Sequence, residues 1–185
     1  MKVLFATGNM GKLKEVAAKY KAYDIEVERL DDRYPELQVD TLEEVVEWGL
    51  DWLWKRHEKP LMIDDSGLFI DSLKGYPGVY SAYVFKTLGC EGILKLLEGK
   101  KDRSAEFRCC AGYIDSKGEK SLVVGNVKGR INNEKRGTGG FGYDPIFVPE
   151  GHEKTFAQMS TDEKNSISHR GRAFDLLAEK LKKQK

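Results

Sequence analysis

The sequence has no apolar run approaching the ~20 residues of a membrane-spanning helix, so no such span is expected. It has almost no net charge. Lys and Arg number 31 against 30 Asp and Glu, for a balance of +1. There is no global basic field of the kind a non-specific binder of polymeric nucleic acid uses, so any anion site must be local. Cysteine is scarce: Cys90, Cys109 and Cys110 form an odd, sparse set that suggests a reducing compartment rather than a disulfide framework. Cys109 and Cys110 are neighbours, which on a strand face opposite sides, and they read as small core residues rather than a metal or redox pair. Repeats and low-complexity segments are absent. The chain runs straight into a strand, so no signal peptide is expected and a cytoplasmic location is. Two phosphate-binding signatures are missing as well, G-x-x-x-x-G-K-[ST] and G-x-G-x-x-G, which disfavours a P-loop kinase or GTPase.

What is present begins with "VLFATGNMGKLKEV", residues 3–16. An apolar run meets a polar glycine turn (Thr7, Gly8, Asn9) and then a helical pattern through Met10, Gly11 and Lys12. Strand, glycine turn and helix hold phosphate in many folds because the first helical amides are unpaired and point outward. The 185 residues suffice for one domain with a sizeable core, expected as a single unit over 1–185. Charged residues reach 33 %, mostly Lys and Glu, a composition that fits the surface ion pairs of thermophile proteins.

Periodicity predicts strands over 2–6 and 24–30 and an amphipathic helix over 10–21. "DDRYPELQVD" reads as a polar connector. Thr41 and Glu44 make a capping box for a helix over about 42–57, with Leu42, Val45, Val46, Trp48, Leu53 and Trp54 as its buried face. "LMIDDSGLFI" (61–70) is strand-like, 86–98 contains a helix, and 103–115 and 119–131 form a hairpin through "DSKGE". The class is α/β, a mixed sheet with flanking helices.

The helical pattern over 160–183 contains a misfit. Ile167, Phe174, Leu177, Ala178 and Leu181 line one face, and a continuous helix puts Arg170 on it. Burying an unpaired guanidinium is costly. Either the helix breaks near 166–168, or Arg170 has an anionic or polar partner. Two caps favour the break: Ser160 with Glu163, and Ser168. Lys164, His169 and Arg170 then cluster around an interrupted helix.

Several stretches could carry chemistry. In "DDSGL", Asp64 and Asp65 interrupt an apolar strand, point to opposite faces and should have different jobs. Glu36 in "YPEL" matters if it shares a site with Asp65, since carboxylates beside a phosphate turn suit magnesium. "GFGYDPIF" sets Phe141 and Tyr143 between glycines and before Asp144, so Phe141 could stack on a base or simply plug the turn. His57 and His152 read as structural.

In this order the blocks resemble those of the inosine triphosphate pyrophosphatase family, over nearly the whole chain. "ATGNMGKLKE" is similar to its N-terminal phosphate turn, "YPELQ" to its Pro-Glu segment, and "DDSGL", "GYPGVYSA", "GGFGYDPIF" and "KNSISHR" to its later blocks. Tyr83 is a departure, standing where many bacterial members carry a basic residue. The resemblance implies two lobes around a central nucleotide cleft, usually in a homodimer. It also implies Mg²⁺-dependent hydrolysis of ITP, dITP and XTP to monophosphate and pyrophosphate. By the same resemblance Thr7, Gly8, Asn9, Met10, Gly11 and Lys12 hold the triphosphate, Glu36 and Asp65 hold Mg²⁺, and Asp65 positions the attacking water. Ser66 donates to the nucleotide. Phe141 with Gly142 and Tyr143 takes the purine, and Asp144, Lys164, His169 and Arg170 surround its edge. Asp64 is left as a second metal ligand or an orienting group. Two other readings are a catalytically silent nucleotide sensor and the septum-formation-inhibitor type of pyrophosphatase. The Glu36 and Asp65 pair disfavours the first, and "SHR" with "FGYDP" the second.

Overall fold

The structure is a computed structural model that describes residues 2–35 and 37–183. Among the described residues the strands form one seven-stranded mixed sheet in the order β2-β1-β3-β5-β6-β7, with β4 paired to β3. The first three run parallel: β1 (Lys2–Ala6) lies between β2 (Glu26–Leu30) and β3 (Leu61–Ile70). From β3 onward neighbours are antiparallel. β3 pairs with β5 (Ser104–Ile114), β5 with β6 (Lys120–Ile131), and β6 with the short β7 (Phe147–Pro149). β4 is only Pro77–Gly78.

Helices cover both faces. On one, α1 (Met10–Lys21) and α5 (His169–Lys183) bury Val16, Tyr20, Phe174, Leu177 and Leu181 against Phe5, Met62 and Cys109. On the other, α2 (Leu42–His57) buries Val46, Leu50 and Leu53 against Leu61, Ile63 and Cys110. The two cysteines therefore face opposite layers, as strand alternation requires. A third cluster joins α3 (Ser81–Leu96) to Leu68, Phe107, Val127, Phe147 and Phe156 at the far end of the sheet.

Local chemistry accounts for the boundaries. Both halves of the Thr41–Glu44 capping box form at the start of α2. The hairpin of β5 and β6 closes at 115–119 with the Asp115 carboxylate accepting from the Lys117 and Glu119 amides. The last helical stretch is two helices. α4 (Thr161–Ile167) starts at the Ser160–Glu163 capping box, and extended Ser168 ends it and caps α5 by accepting from the Gly171 amide at 3.0 Å.

Three expectations are corrected. Trp48 does not join the buried face of α2; it stacks on Trp52 at 5.3 Å, and Gly49 and Leu50 take the inner positions. α3 begins five residues earlier than its apolar pattern shows and bends at Gly89, whose φ of 64° is not helical. Ile167 leaves the α5 stripe because the break at Ser168 turns it toward the third cluster.

Candidate functional site

β1 ends at Ala6 and the chain crosses to α1 through Thr7, Gly8 and Asn9. The Asn9 side chain is the N-cap: its Oδ1 accepts from the Gly11 amide at 2.8 Å and the Lys12 amide at 3.2 Å. Thr7 Oγ1 accepts from the Asn9 amide at 3.1 Å. Both polar side chains thus hold the turn in shape. The first turn of α1 carries no acid, so its positive end is not offset. Lys12 reaches across to β3, with Nζ 3.2 Å from the Asp64 carbonyl oxygen and 3.3 Å from Asp64 Oδ1.

This turn forms one wall of a cavity of about 650 Å³ that also takes in Asp64, Asp65, connector residues including Arg33 and Tyr34, and Tyr80 and Tyr83. Half-buried Asp65 points to the opposite face of β3 from Asp64. Burial pushes its carboxyl up to about 6, with Lys12 opposing the rise and Asp64 adding to it.

Asp64 is buried, and the hydrogen bonds to its carboxylate fall on one oxygen, Oδ1 having only the ion pair with Lys12 among the described residues. Its Oδ2 accepts from Arg170 Nε at 3.0 Å and from Ser66 Oγ at 3.2 Å. Burial alone would raise its pKa, but Lys12 and Arg170 outweigh that and hold the carboxyl below its ordinary value. The Arg170 misfit is thereby resolved, and both alternatives hold: the helix breaks and the guanidinium has anionic partners. Its Nη1 donates to Glu15 Oε2 at 2.7 Å and its Nη2 to Ser66 Oγ at 2.8 Å. Each Nη still has a second N–H to give.

Beside Arg170 lies a second buried cation. Lys164 Nζ is 2.6 Å from Glu15 Oε1 and 2.6 Å from Asp144 Oδ2. The same Asp144 oxygen accepts from the Phe141 amide at 2.8 Å, which fixes the glycine loop on α4. Burial lifts the Asp144 carboxyl above its ordinary value even though Lys164 opposes this. The Phe141 ring packs under both cations, 4.6 Å from Lys164 Nζ and 5.3 Å from Arg170 Cζ. It also touches the start of α1, where a Cβ on Gly11 would sit 2.6 Å from a ring carbon. His169 stacks flat on Phe107 at 4.6 Å. Burial, then Arg170, Lys164 and Lys12, hold its pKa well below 6.5, so it is neutral. Its buried Nδ1 has no hydrogen-bond partner among the described residues.

Of the residues expected at the site, Thr7, Gly8, Asn9, Lys12 and Asp65 line the open cavity, and Asp64 lines it too. Ser66, Phe141, Asp144, Lys164, His169 and Arg170 gather in the buried cluster next to it. Met10 is exposed at the start of α1. Tyr143 turns away: its buried hydroxyl donates to the Ser81 carbonyl at 3.1 Å, and the Gly142 carbonyl accepts from Cys90 Sγ. Glu36 lies outside the described residues. Sequence reasoning missed Glu15, which joins Arg170 to Lys164. A signal existed, because Glu15 follows Lys12 by three residues and so shares its side of α1.

Fold and site together define an α/β protein with a glycine turn at a helix N-terminus, an acid-bearing strand and a buried cation–carboxylate cluster beside one cavity. The chain belongs to the Ham1 family, whose pattern matches residues 3–180. It is 56 % identical over 183 residues to the dITP/XTP pyrophosphatase of Pyrococcus horikoshii, covering 98 % of this chain and 97 % of that one. It is 53 % identical to the protein of the same name from Thermococcus kodakarensis, covering 98 % of each. The Ham1 protein of Staphylococcus aureus superposes with a TM-score of 0.86 at 32 % identity, over 100 % of both chains.

Proposed function

We propose that the chain is a nucleoside triphosphate pyrophosphatase that hydrolyses non-canonical purine nucleotides (ITP, dITP, XTP) to the monophosphate and pyrophosphate. The observation that carries this reading is the adjacency of two unlike half-sites. An open phosphate turn faces Asp65, and a buried cluster of Arg170, Lys164, Asp144, His169 and Phe141 lies against the same turn. The names of the relatives support it.

The phosphate chain lies along the turn, held by the α1 amides and Lys12. The purine takes the cluster side, over the Phe141 ring. Arg170's spare N–H groups and His169 face an acceptor at purine C6, which adenine replaces with a donor. The attacking water forms a bond to the α phosphorus, the bond to the oxygen bridging to the β phosphorus breaks, and pyrophosphate leaves. Asp65 orients the water and accepts one of its protons, which passes to solvent. Asp64 is read as an orienting group, because Lys12 and Arg170 occupy it.

Magnesium fits the donors present. No cluster of three His, Cys, Asp or Glu forms a cage among the described residues, but this hard cation is usually held by one or two carboxylates plus substrate phosphates. Asp65 and Glu36 would hold it, and when bound it would neutralise phosphate oxygens and stabilise the leaving group. We read the chain as one two-lobed unit acting on free nucleotides in the cytoplasm as a homodimer. No described helix is long and apolar enough to cross a membrane.

Phosphorus NMR of ITP incubated with the protein and Mg²⁺ tests the reaction. Pyrophosphate and IMP are expected. Early orthophosphate with IDP would put the attack at the γ phosphorus and overturn the reading.

A further inference from the structure

The phosphate turn is bracketed. At Gly11 its neighbour is the Phe141 ring; at Gly8 it is a guanidinium. A Cβ on Gly8 would sit 2.5 Å from both Nε and Nη2 of Arg33, so a hydrogen at this position is what lets the arginine lie on the turn. Arg33 belongs to the polar connector after β2, has no regular structure around it, and is exposed.

The cavity wall carries Lys12 and Arg33 as cations and Asp32, Asp64 and Asp65 as acids. Lys12 is bound to Asp64. Asp32 is taken up by Arg56 and His57 and touches Arg33 only through the backbone amide. The nearby Arg29 is also engaged, donating to the Thr7 carbonyl at 3.3 Å and pairing with Asp31. Among the described residues Arg33 is the cation lining the cavity whose side chain has no carboxylate partner. A planar guanidinium with five N–H donors matches phosphate oxygens bidentately.

We propose that Arg33 binds the terminal phosphates of the substrate and steadies the departing pyrophosphate. The order along the turn gives the polarity: the purine sits at the Gly11 end beside Phe141, so the far end of the phosphate chain comes to Gly8 and Arg33. This assignment rests on the pyrophosphatase reading above and adds a substrate-binding residue to it. Charge builds on the leaving pyrophosphate as the bond breaks, and Arg33 meets it there.

The test compares Arg33→Gln and Arg33→Lys with the parent protein. Arg33→Gln should lower kcat/KM for ITP and XTP alike by about tenfold, and Arg33→Lys should recover part of that loss. Inorganic tripolyphosphate, which has no base, should inhibit Arg33→Gln about tenfold less well, while inhibition by IMP stays unchanged. Because Arg33 is exposed, both variants should keep the parent melting temperature. Unchanged kcat/KM together with unchanged tripolyphosphate inhibition would overturn the role of Arg33 and leave the reaction intact. So would an equal loss of IMP inhibition, which would place Arg33 at the α phosphate. Failure of the parent to release pyrophosphate would instead overturn the reaction, and direct binding of tripolyphosphate would still decide about Arg33.

Discussion

The two ends of the cleft are built on opposite principles. The end proposed for phosphate is local and open: eight consecutive residues from Phe5 to Lys12 make the strand end, the turn and the helix start, and the Thr7 and Asn9 side chains bond to amides within it. The other end is buried and assembled from afar. Glu15, Asp64, Asp144, Lys164 and Arg170 come from α1, β3, the glycine loop, α4 and α5, and each is at least nine-tenths buried. Backbone amides and a helix end suit a ligand part that is always anionic and needs no discrimination. Paired buried charges hold a few donors rigidly where discrimination is needed, because a mismatched partner then leaves a desolvated group unsatisfied.

Asp65 lines the open cavity and is the group proposed to position the attacking water, so its loss should have the largest effect. Asp65→Asn should fold, since the side chain is only half-buried, and lose turnover by about 10²–10⁴-fold. Rates for ITP measured on protein with an unchanged melting temperature check this. Near-normal turnover would remove Asp65 from the chemistry.

The next test sharpens the comparison. Lys12→Ala should weaken ITP and ATP by the same factor, because Lys12 is proposed to contact phosphate and not base. Arg170→Lys keeps a cation beside Asp64 and Glu15 but loses the guanidinium fork. It should lower kcat/KM for ITP by about tenfold or more while changing the ATP rate much less. An equal loss on both nucleotides would move Arg170 to a phosphate or structural role.

The contrast also explains what could be read from the sequence. The phosphate turn, the capping boxes, the β5–β6 hairpin and the helix break at Ser168 are encoded within a few residues, where caps and periodicity act. Arg170 announced a need for a partner because a charge on an apolar face has to be matched. Its partners, Asp64 and Glu15, lie 106 and 155 residues away, and no local pattern names them. The residues expected around the base came through resemblance, and the structure brings most of them together around Lys164. Tyr143 shows the limit. Its neighbours in "FGYD" face the cluster, but the turn at Gly142, with φ of 63°, sends this ring back to Ser81. The closeness of Arg33 to Gly8 was hidden for the opposite reason, since a polar connector looks the same whether or not a glycine turn lies beneath it.

The smallest expected effect concerns stability and isolates the buried end alone. Burial would raise the Glu15 pKa, but Arg170 and Lys164 outweigh it and hold the carboxyl below its ordinary value of 4.5. The folded protein therefore binds this proton less readily than the unfolded chain does. The stabilisation is fully present above the ordinary carboxylate range and is lost as pH falls through the lowered folded value. Glu15→Gln removes that titration. At pH 7 the variant should melt about 5 °C lower, because Arg170 and Lys164 lose a charged acceptor and keep a neutral one. Between pH 5 and 3 the melting temperature of the parent should fall more steeply than that of the variant, so the two curves converge. Calorimetric melts at several pH values check this. Parallel curves would mean that Glu15 titrates no differently in the folded and unfolded states. The buried end would then owe its stability to packing around Phe141 and Phe107, and the contrast between the two half-sites would lie in geometry rather than in charge.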